Sequence, residues 1–288
     1  MKLSNLIKIT LPVVIAVAGV FNIGSAQADQ CPLVPDGRAS MEGSQAADLL
    51  SDGKFEQVEA ILEKWHRKNL SSEGGDLLTL RNINELLQLS MRQENLVRMW
   101  ADERPQSFFS QLTAGIYYID DAGHVLGGRP MSQVSPGQLK KVRQLNETAA
   151  GYLHKAMQLD PRSALPQGMM IDVACVQGQV DGKTAEQWLQ AANEVDPKNL
   201  AARIQAVNYL SPRWCGSFEL LDQMVQDAAK SLSAESAHYL EYNVVLAKAS
   251  HEEVIAKNKL KANELFKRAK NMCENSDAAR EGVIRTYR

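Results

Sequence analysis

The sequence lacks a second long apolar run, a metal-binding spacing and an excess of basic residues. After residue 21, no stretch reaches the roughly 20 apolar residues that a membrane-spanning helix needs. The formal net charge is −2, so the chain does not have the basic surface that nucleic-acid backbones require. No Cys-x-x-Cys and no His-x-x-x-His spacing occurs. We therefore expect no nucleic acid, no metal or cofactor, and no membrane span in the mature chain.

The one strongly apolar segment lies at the N-terminus. Lys2 and Lys8 precede an apolar stretch at residues 11–21, and residues 26–28 read Ala-Gln-Ala. This order is typical of a secretory signal peptide, which would occupy residues 1–28. Its short form favours export to a bacterial periplasm, with an uncleaved anchor as the alternative reading.

Four cysteines would remain after cleavage: Cys31, Cys175, Cys215 and Cys273. An even number in an oxidising compartment favours disulfides, and three full pairings exist. We favour Cys175 with Cys215, because a repeat fold would place them on neighbouring units. Such a bond would stabilise the fold by roughly 3–4 kcal/mol in the chain-entropy description. The alternative is that all four are buried thiols.

The composition and spacing predict an all-α fold. Ala, Leu, Gln, Glu and Lys dominate, and apolar residues recur at intervals of three and four. Helices are predicted at residues 43–51, 55–68, 75–92, 94–102, 106–122, 136–159, 164–177, 183–195, 199–209, 217–231, 235–249, 252–273 and 277–286. The irregular stretch 123–137 separates an N-terminal helical part, 29–130, from a repeat-like part, 136–288. We expect the two parts to pack as one continuous domain.

A longer repeat lies within these helices. Residues 149–163 and 185–199 share the pattern Ala-x-x-x-Leu-x-x-Ala-x-x-x-x-Pro. Weaker copies begin near Leu221, Ala262 and Phe55. The repeated positions are Ala149, Leu153, Ala156 and Pro161, matched by Ala185, Leu189, Ala192 and Pro197.

Physical reasons support this repeat. Small alanines let two helices approach closely, and the larger residue four positions on fills the gap. Each Asp-Pro ends its helix, because proline cannot continue it. Ser163 and Asn199 are then predicted to cap the helices that follow. The pattern resembles the second helix of the tetratricopeptide repeat (TPR), which implies an α-solenoid of stacked helix hairpins. A generic helical bundle is the alternative.

The segment "YLSPRWCGS" at residues 209–217 has three interpretations: a structural joint, part of a ligand or partner groove, or a catalytic loop. Pro212 would end one helix, and Ser217 would cap the next. A nucleophile would have to be Cys215 or Ser217, yet no Gly-x-Ser-x-Gly elbow surrounds them. We expect a structural joint between two helices.

This segment carries a family resemblance. Pro-Arg-Trp-(Gly)-Gly-Ser after a TPR-like helix, with an upstream Trp100, Pro105 and Ser107, resembles a bacterial family known only as a domain of unknown function. The resemblance covers roughly residues 45–240. It departs at Cys215, where the family usually has glycine. The resemblance implies a fold but no agreed activity.

Two further features are candidates for a site. The loop "DDAGHVLGGR" groups Asp120, Asp121, His124 and Arg129, either as a solvated helix end capped by Gly123 and Gly127 or as an acid–base or partner-binding loop. The pairs Phe108-Phe109 and Tyr117-Tyr118 fall on one helix. We expect core packing, and the alternative is a groove lining, because both rings of each pair cannot face the same core.

These features predict an exported protein that binds another protein. Stacked helix pairs make extended surfaces of the kind that bind proteins. A sharper version is a periplasmic immunity protein that neutralises an antibacterial effector. This version rests on an analogy with that class of proteins and not on a particular residue. The alternative function is an envelope hydrolase that uses His124 with Asp120 or Asp121. The predicted contact residues are Trp214, Arg213, Tyr117, Tyr118, His124 and Arg129.

Overall fold

A computed structural model describes residues 40–70, 73–89, 94–127, 133–273 and 276–287. The predicted signal peptide, Cys31 and Arg129 lie outside these ranges. Within them the chain forms thirteen α-helices: α1 (Ser40–Ser51), α2 (Phe55–Asn69), α3 (Gly75–Leu89), α4 (Glu94–Glu103), α5 (Phe108–Leu126), α6 (Pro136–Leu159), α7 (Leu165–Gln177), α8 (Ala185–Val195), α9 (Ala201–Tyr209), α10 (Phe218–Ala228), α11 (Ala234–Val254), α12 (Lys259–Met272) and α13 (Asp277–Tyr287).

The predicted fold class is confirmed. The described ranges contain no β-strand, only an isolated bridge between Val180 and Lys183. Successive helices pack on one another: α5 on α6, α7 on both α8 and α9, and α11 on α12. None of the described helices combines the length and the apolar character needed to span a bilayer.

The residues of the predicted repeat form the contacts between helices. All of its alanine, leucine and phenylalanine positions on α6, α8 and α12 are buried, namely Ala149, Leu153, Ala156, Ala185, Leu189, Ala192, Ala262, Phe266 and Ala269. Small residues also face them from the paired helices. A Cβ atom built on Gly115 of α5 would lie 2.7 Å from Leu153, and one built on Gly282 of α13 would overlap the ring of Phe266. The same repeat position therefore packs onto a glycine in two separate helix pairs.

The turn that follows each repeat helix is also repeated. Asp160, Asp196 and Cys273 end α6, α8 and α12 with φ near −135° and ψ near 90° to 103°. The backbone N–H three residues on donates to the carbonyl oxygen of this residue in each turn, at 3.1–3.3 Å. This turn does not require the same residue at its first position, since cysteine takes the place of aspartate in the third turn.

The predicted N-caps Ser163 and Asn199 are wrong. The turn uses one more residue than expected, so Ala164 and Leu200 occupy the cap positions of α7 and α9 and make no side-chain cap bond. Ser163 Oγ instead accepts from Leu165 N at 3.3 Å. The Asn199 amide turns back and donates to the carbonyl oxygen of Ala192, which closes the preceding helix.

Two predicted helix ends are also wrong. Gly123 does not cap α5, which continues to Leu126 and ends at Gly127 with a φ of 61°. The helix predicted to begin at residue 252 begins at Lys259 instead, because α11 runs on to Val254. The chain breaks only at Lys257, whose φ is 57°, and Asn258 then caps α12.

The helix α5 lies at the centre of the fold. It packs against α6, α4, α2, α3 and α7. Phe108, Phe109, Tyr117 and Tyr118 are all buried in one core, and each tyrosine side chain is only 7% exposed. Both pairs therefore pack in the core as expected, because α5 is buried on every face from Phe108 to Ile119 and reaches solvent only in its last turns.

Candidate functional site

The segment between α9 and α10 is a tightly closed joint. Trp214 N donates to Ser211 O at 3.0 Å, and Gly216 N donates to the same oxygen at 3.3 Å. A Cβ on Gly216 would overlap the carbonyl group of Leu210, so only glycine fits there. Ser217 then caps α10 by accepting from Leu220 N at 3.1 Å.

A disulfide fixes this joint to the neighbouring repeat. Cys215 is bonded to Cys175 of α7, with 5.4 Å between their Cα atoms. This is the pairing favoured on the sequence. The bond leaves Cys215 without the thiol that a nucleophile needs. Ser217 uses its hydroxyl as a helix cap, so neither nucleophile candidate of this segment has a free side-chain group.

Arg213 and Trp214 lie on the half-exposed side of the joint. The Arg213 guanidinium is 5.4 Å from the centre of the Trp214 ring. The ring also packs against a small apolar cluster formed by Ala122, Leu126, Val142 and Val176. Burial lowers the pKa of the Arg213 guanidinium below its ordinary value. The joint thus brings the predicted contact residues Arg213 and Trp214 to the end of α5 at which His124 lies.

His124 and Asp120 form an exposed pair on the last turns of α5. His124 Nδ1 lies 3.8 Å from Asp120 Oδ1 and 3.0 Å from the Asp120 carbonyl oxygen. The two side chains are 59% and 45% exposed, so water surrounds both groups. Among the described residues, no three His, Cys, Asp or Glu side chains are placed to hold a metal ion.

A buried polar cluster, which no local sequence pattern predicts, joins α2, α3 and the turn after α6. His66 Nδ1 lies 3.3 Å from Thr79 Oγ1, and His66 Nε2 lies 3.4 Å from Asp160 Oδ2. Arg162 Nε donates to the other carboxylate oxygen of Asp160 at 2.9 Å. A hydroxyl, an imidazole and a carboxylate in this order resemble a nucleophile, its base and an orienting acid. Thr79 and His66 are only 1% and 2% exposed, so no substrate reaches them.

Burial and hydrogen bonding shift the pKa values of the groups in this cluster. Burial lowers the pKa of His66, and the nearby Asp160 carboxylate acts in the opposite direction. Burial acts against ionised Asp160, but the hydrogen bonds from Arg162 outweigh it and hold the pKa of Asp160 below its ordinary range. Beside them Asp76 Oδ2 accepts from Ala164 N at 3.2 Å, across 88 residues of sequence. Burial and the nearby Asp196 raise the pKa of Asp76 to about 7.

A second feature that the sequence did not predict is a groove between α6, α7 and α8, which we call the α6–α8 groove. It encloses about 490 Å³. Its rim is a tight turn in which Asp181 and Gly182 have φ values of 51° and 72°, and Val180 and Lys183 exchange two 2.9 Å hydrogen bonds. The dipeptide Asp-Gly between Val180 and Lys183 is a sequence signal for such a turn. What faces the turn depends on packing that the sequence does not reveal.

The fold places the chain among all-α helical-repeat proteins. Residues 44–182 match the model of a family described as a domain of unknown function (DUF4034). This match covers α2 to α7 and ends before the Pro-Arg-Trp-Cys-Gly-Ser segment. No curated protein matches the chain, and no solved structure matches it.

Proposed function

We propose that this chain is an exported helical-repeat protein that binds another protein. The observation that carries the proposal is the Arg213–Trp214 pair, half-exposed on a joint that a disulfide holds to α7. Tryptophan and arginine are the residue types that most often dominate binding energy at protein interfaces. A rigid joint also loses little conformational freedom when a partner binds.

The cellular setting of the proposal is the bacterial periplasm. The signal-like N-terminus motivates it, and the Cys175–Cys215 bond suits an oxidising compartment. In its sharper version the partner is an antibacterial effector, and this chain is the immunity protein that neutralises it. An equimolar amount of the purified protein would then abolish the toxicity of the captured partner.

Site-specific photocrosslinking tests the contact surface directly. A photoreactive amino acid is placed at residue 214 in the native host, and a matched one is placed at residue 287, where Tyr287 is 81% exposed. We expect one discrete protein adduct from position 214 and none from position 287. Arg213→Ala should reduce the yield at position 214. Equal adducts from both positions, or none from position 214, would refute the proposed surface.

A further inference from the structure

The floor of the α6–α8 groove holds a buried amide oxygen without a hydrogen-bond partner. Gln167 of α7 lines the groove, is only 9% exposed, and its Oε1 atom has no hydrogen-bond partner. A buried polar atom left in this state costs free energy that a matching donor would recover. The Oε1 atom is itself almost wholly inaccessible in the free protein, so an N–H or O–H group of a ligand reaches it only when the Gln167 side chain turns toward the groove.

The walls of the groove are apolar. Met157 of α6 and Ala191 and Val195 of α8 line it, and all three are half-buried rather than covered by other helices. Trp188 closes one side, with its Nε1 donating to the Val180 carbonyl oxygen at 3.3 Å. Because this donor is already used, the Trp188 indole presents no unpaired N–H group to an aliphatic side chain in the groove.

The charged groups of the rim are held in fixed positions. His154 Nε2 lies 2.5 Å from Asp181 Oδ2. Lys183 Nζ lies 4.5 Å above the Trp188 ring, which favours a cation there. Glu194 accepts from the neutral amide of Gln190. The lining carries two carboxylates, Asp181 and Glu194, against the single ammonium group of Lys183, so a positive group suits the rim.

We propose that the α6–α8 groove binds a short extended peptide segment in which an aliphatic side chain stands next to a basic one. On binding, the Gln167 side chain turns toward the groove, and a backbone N–H of the segment donates to its Oε1 atom. The aliphatic side chain lies against Met157 and Val195, and the basic side chain pairs with Glu194. The inference rests on the proposed function, because the segment belongs to the partner protein, and it adds the chemistry of that segment.

The test uses the purified exported protein and a random heptapeptide phage library. We expect the enriched heptapeptides to share an aliphatic residue beside Lys or Arg. A fluorescein-labelled heptapeptide from the selection then reports affinity by anisotropy. Ala191→Trp should fill the groove and weaken binding more than 100-fold, because the heptapeptide would lose nearly all of its contacts with the groove. Ala247→Trp, at an alanine of matched half-burial on α11, should leave binding unchanged.

Two milder variants separate ligand binding from a structural role. Gln167→Met should weaken heptapeptide binding roughly 2- to 10-fold, the value of one neutral hydrogen bond. It should not lower the melting temperature, because the amide oxygen loses no partner in the free protein. Glu194→Gln should weaken binding up to about 5-fold, as expected for a surface ion pair.

Several results would overturn the inference. These are a selection without enrichment, binding that survives Ala191→Trp in a folded protein, and free leucine that competes as well as the heptapeptide. The proposed function fails separately. An adduct at position 214 without heptapeptide binding would leave the function standing and remove the groove. Heptapeptide binding without any adduct at position 214 would leave the groove standing and remove the proposed function.

Discussion

Asp76 should make the fold less stable as the pH rises from 4 to 7. Its carboxyl group is buried between α3 and the start of α7, and burial raises its pKa from 3.8 to about 7. The folded protein therefore binds a proton there that the unfolded chain releases near pH 4. Stability from this group is fully present below pH 4 and is lost as the pH rises through 7. The pKa difference corresponds to about 4 kcal/mol.

Urea denaturation of the wild type and of Asp76→Asn at pH 4, 5.5, 7 and 8 measures this quantity. Asparagine is neutral and can still accept from Ala164 N, so it imitates the protonated acid. We expect the two proteins to unfold alike at pH 4, and the variant to be more stable by about 4 kcal/mol at pH 8. Asp52→Asn, which removes a carboxylate that is 59% exposed, is the control. A stability difference between Asp76→Asn and wild type that does not change with pH would refute the reasoning.

Two further predictions concern the joint. Gly216→Ala should lower the free energy of unfolding by about 3 kcal/mol, since its Cβ would overlap the Leu210 carbonyl, whereas Gly151→Ala, in open space on α6, should raise it by about 1 kcal/mol. Chemical denaturation decides, and equal effects of the two changes would contradict the geometry. Replacing both Cys175 and Cys215 by serine should cost about 4 kcal/mol, because the bond closes a loop of 40 residues. A double variant as stable as the wild type under oxidising conditions would contradict this. In a peptide map of the wild type, the peptides that contain residues 175 and 215 should migrate as one species before reduction and as two species after it.

Local patterns of the sequence predicted the helices well for physical reasons. The Asp-Pro steps at residues 160–161 and 196–197 stop a helix whatever surrounds them. The alanines at fixed spacing indicated which faces meet. The caps at Ser163 and Asn199 failed because the length of a turn depends on how the next helix docks.

The candidate site was harder to predict, since its contacts join distant parts of the chain. The joint could be found because Pro212, Gly216 and Ser217 stand together in the sequence. No pattern of neighbouring residues links His66 to Asp160, because His66 lies in an ordinary helical pattern and Asp160 stands at a helix end. Gln167 reads as one more polar helical residue until the packing of α6 and α8 leaves its amide at the floor of a groove.

The recurring turn after α6 and α8 has a consequence for chain length. Asp160 and Asp196 end their helices with nearly the same φ and ψ. Removing residues 161–196, which hold α7 and α8, would join Asp160 to Pro197 and rebuild an Asp-Pro step at the seam. The local signal that ends the helix would therefore survive a deletion of one complete hairpin, although Cys215 would lose its partner Cys175.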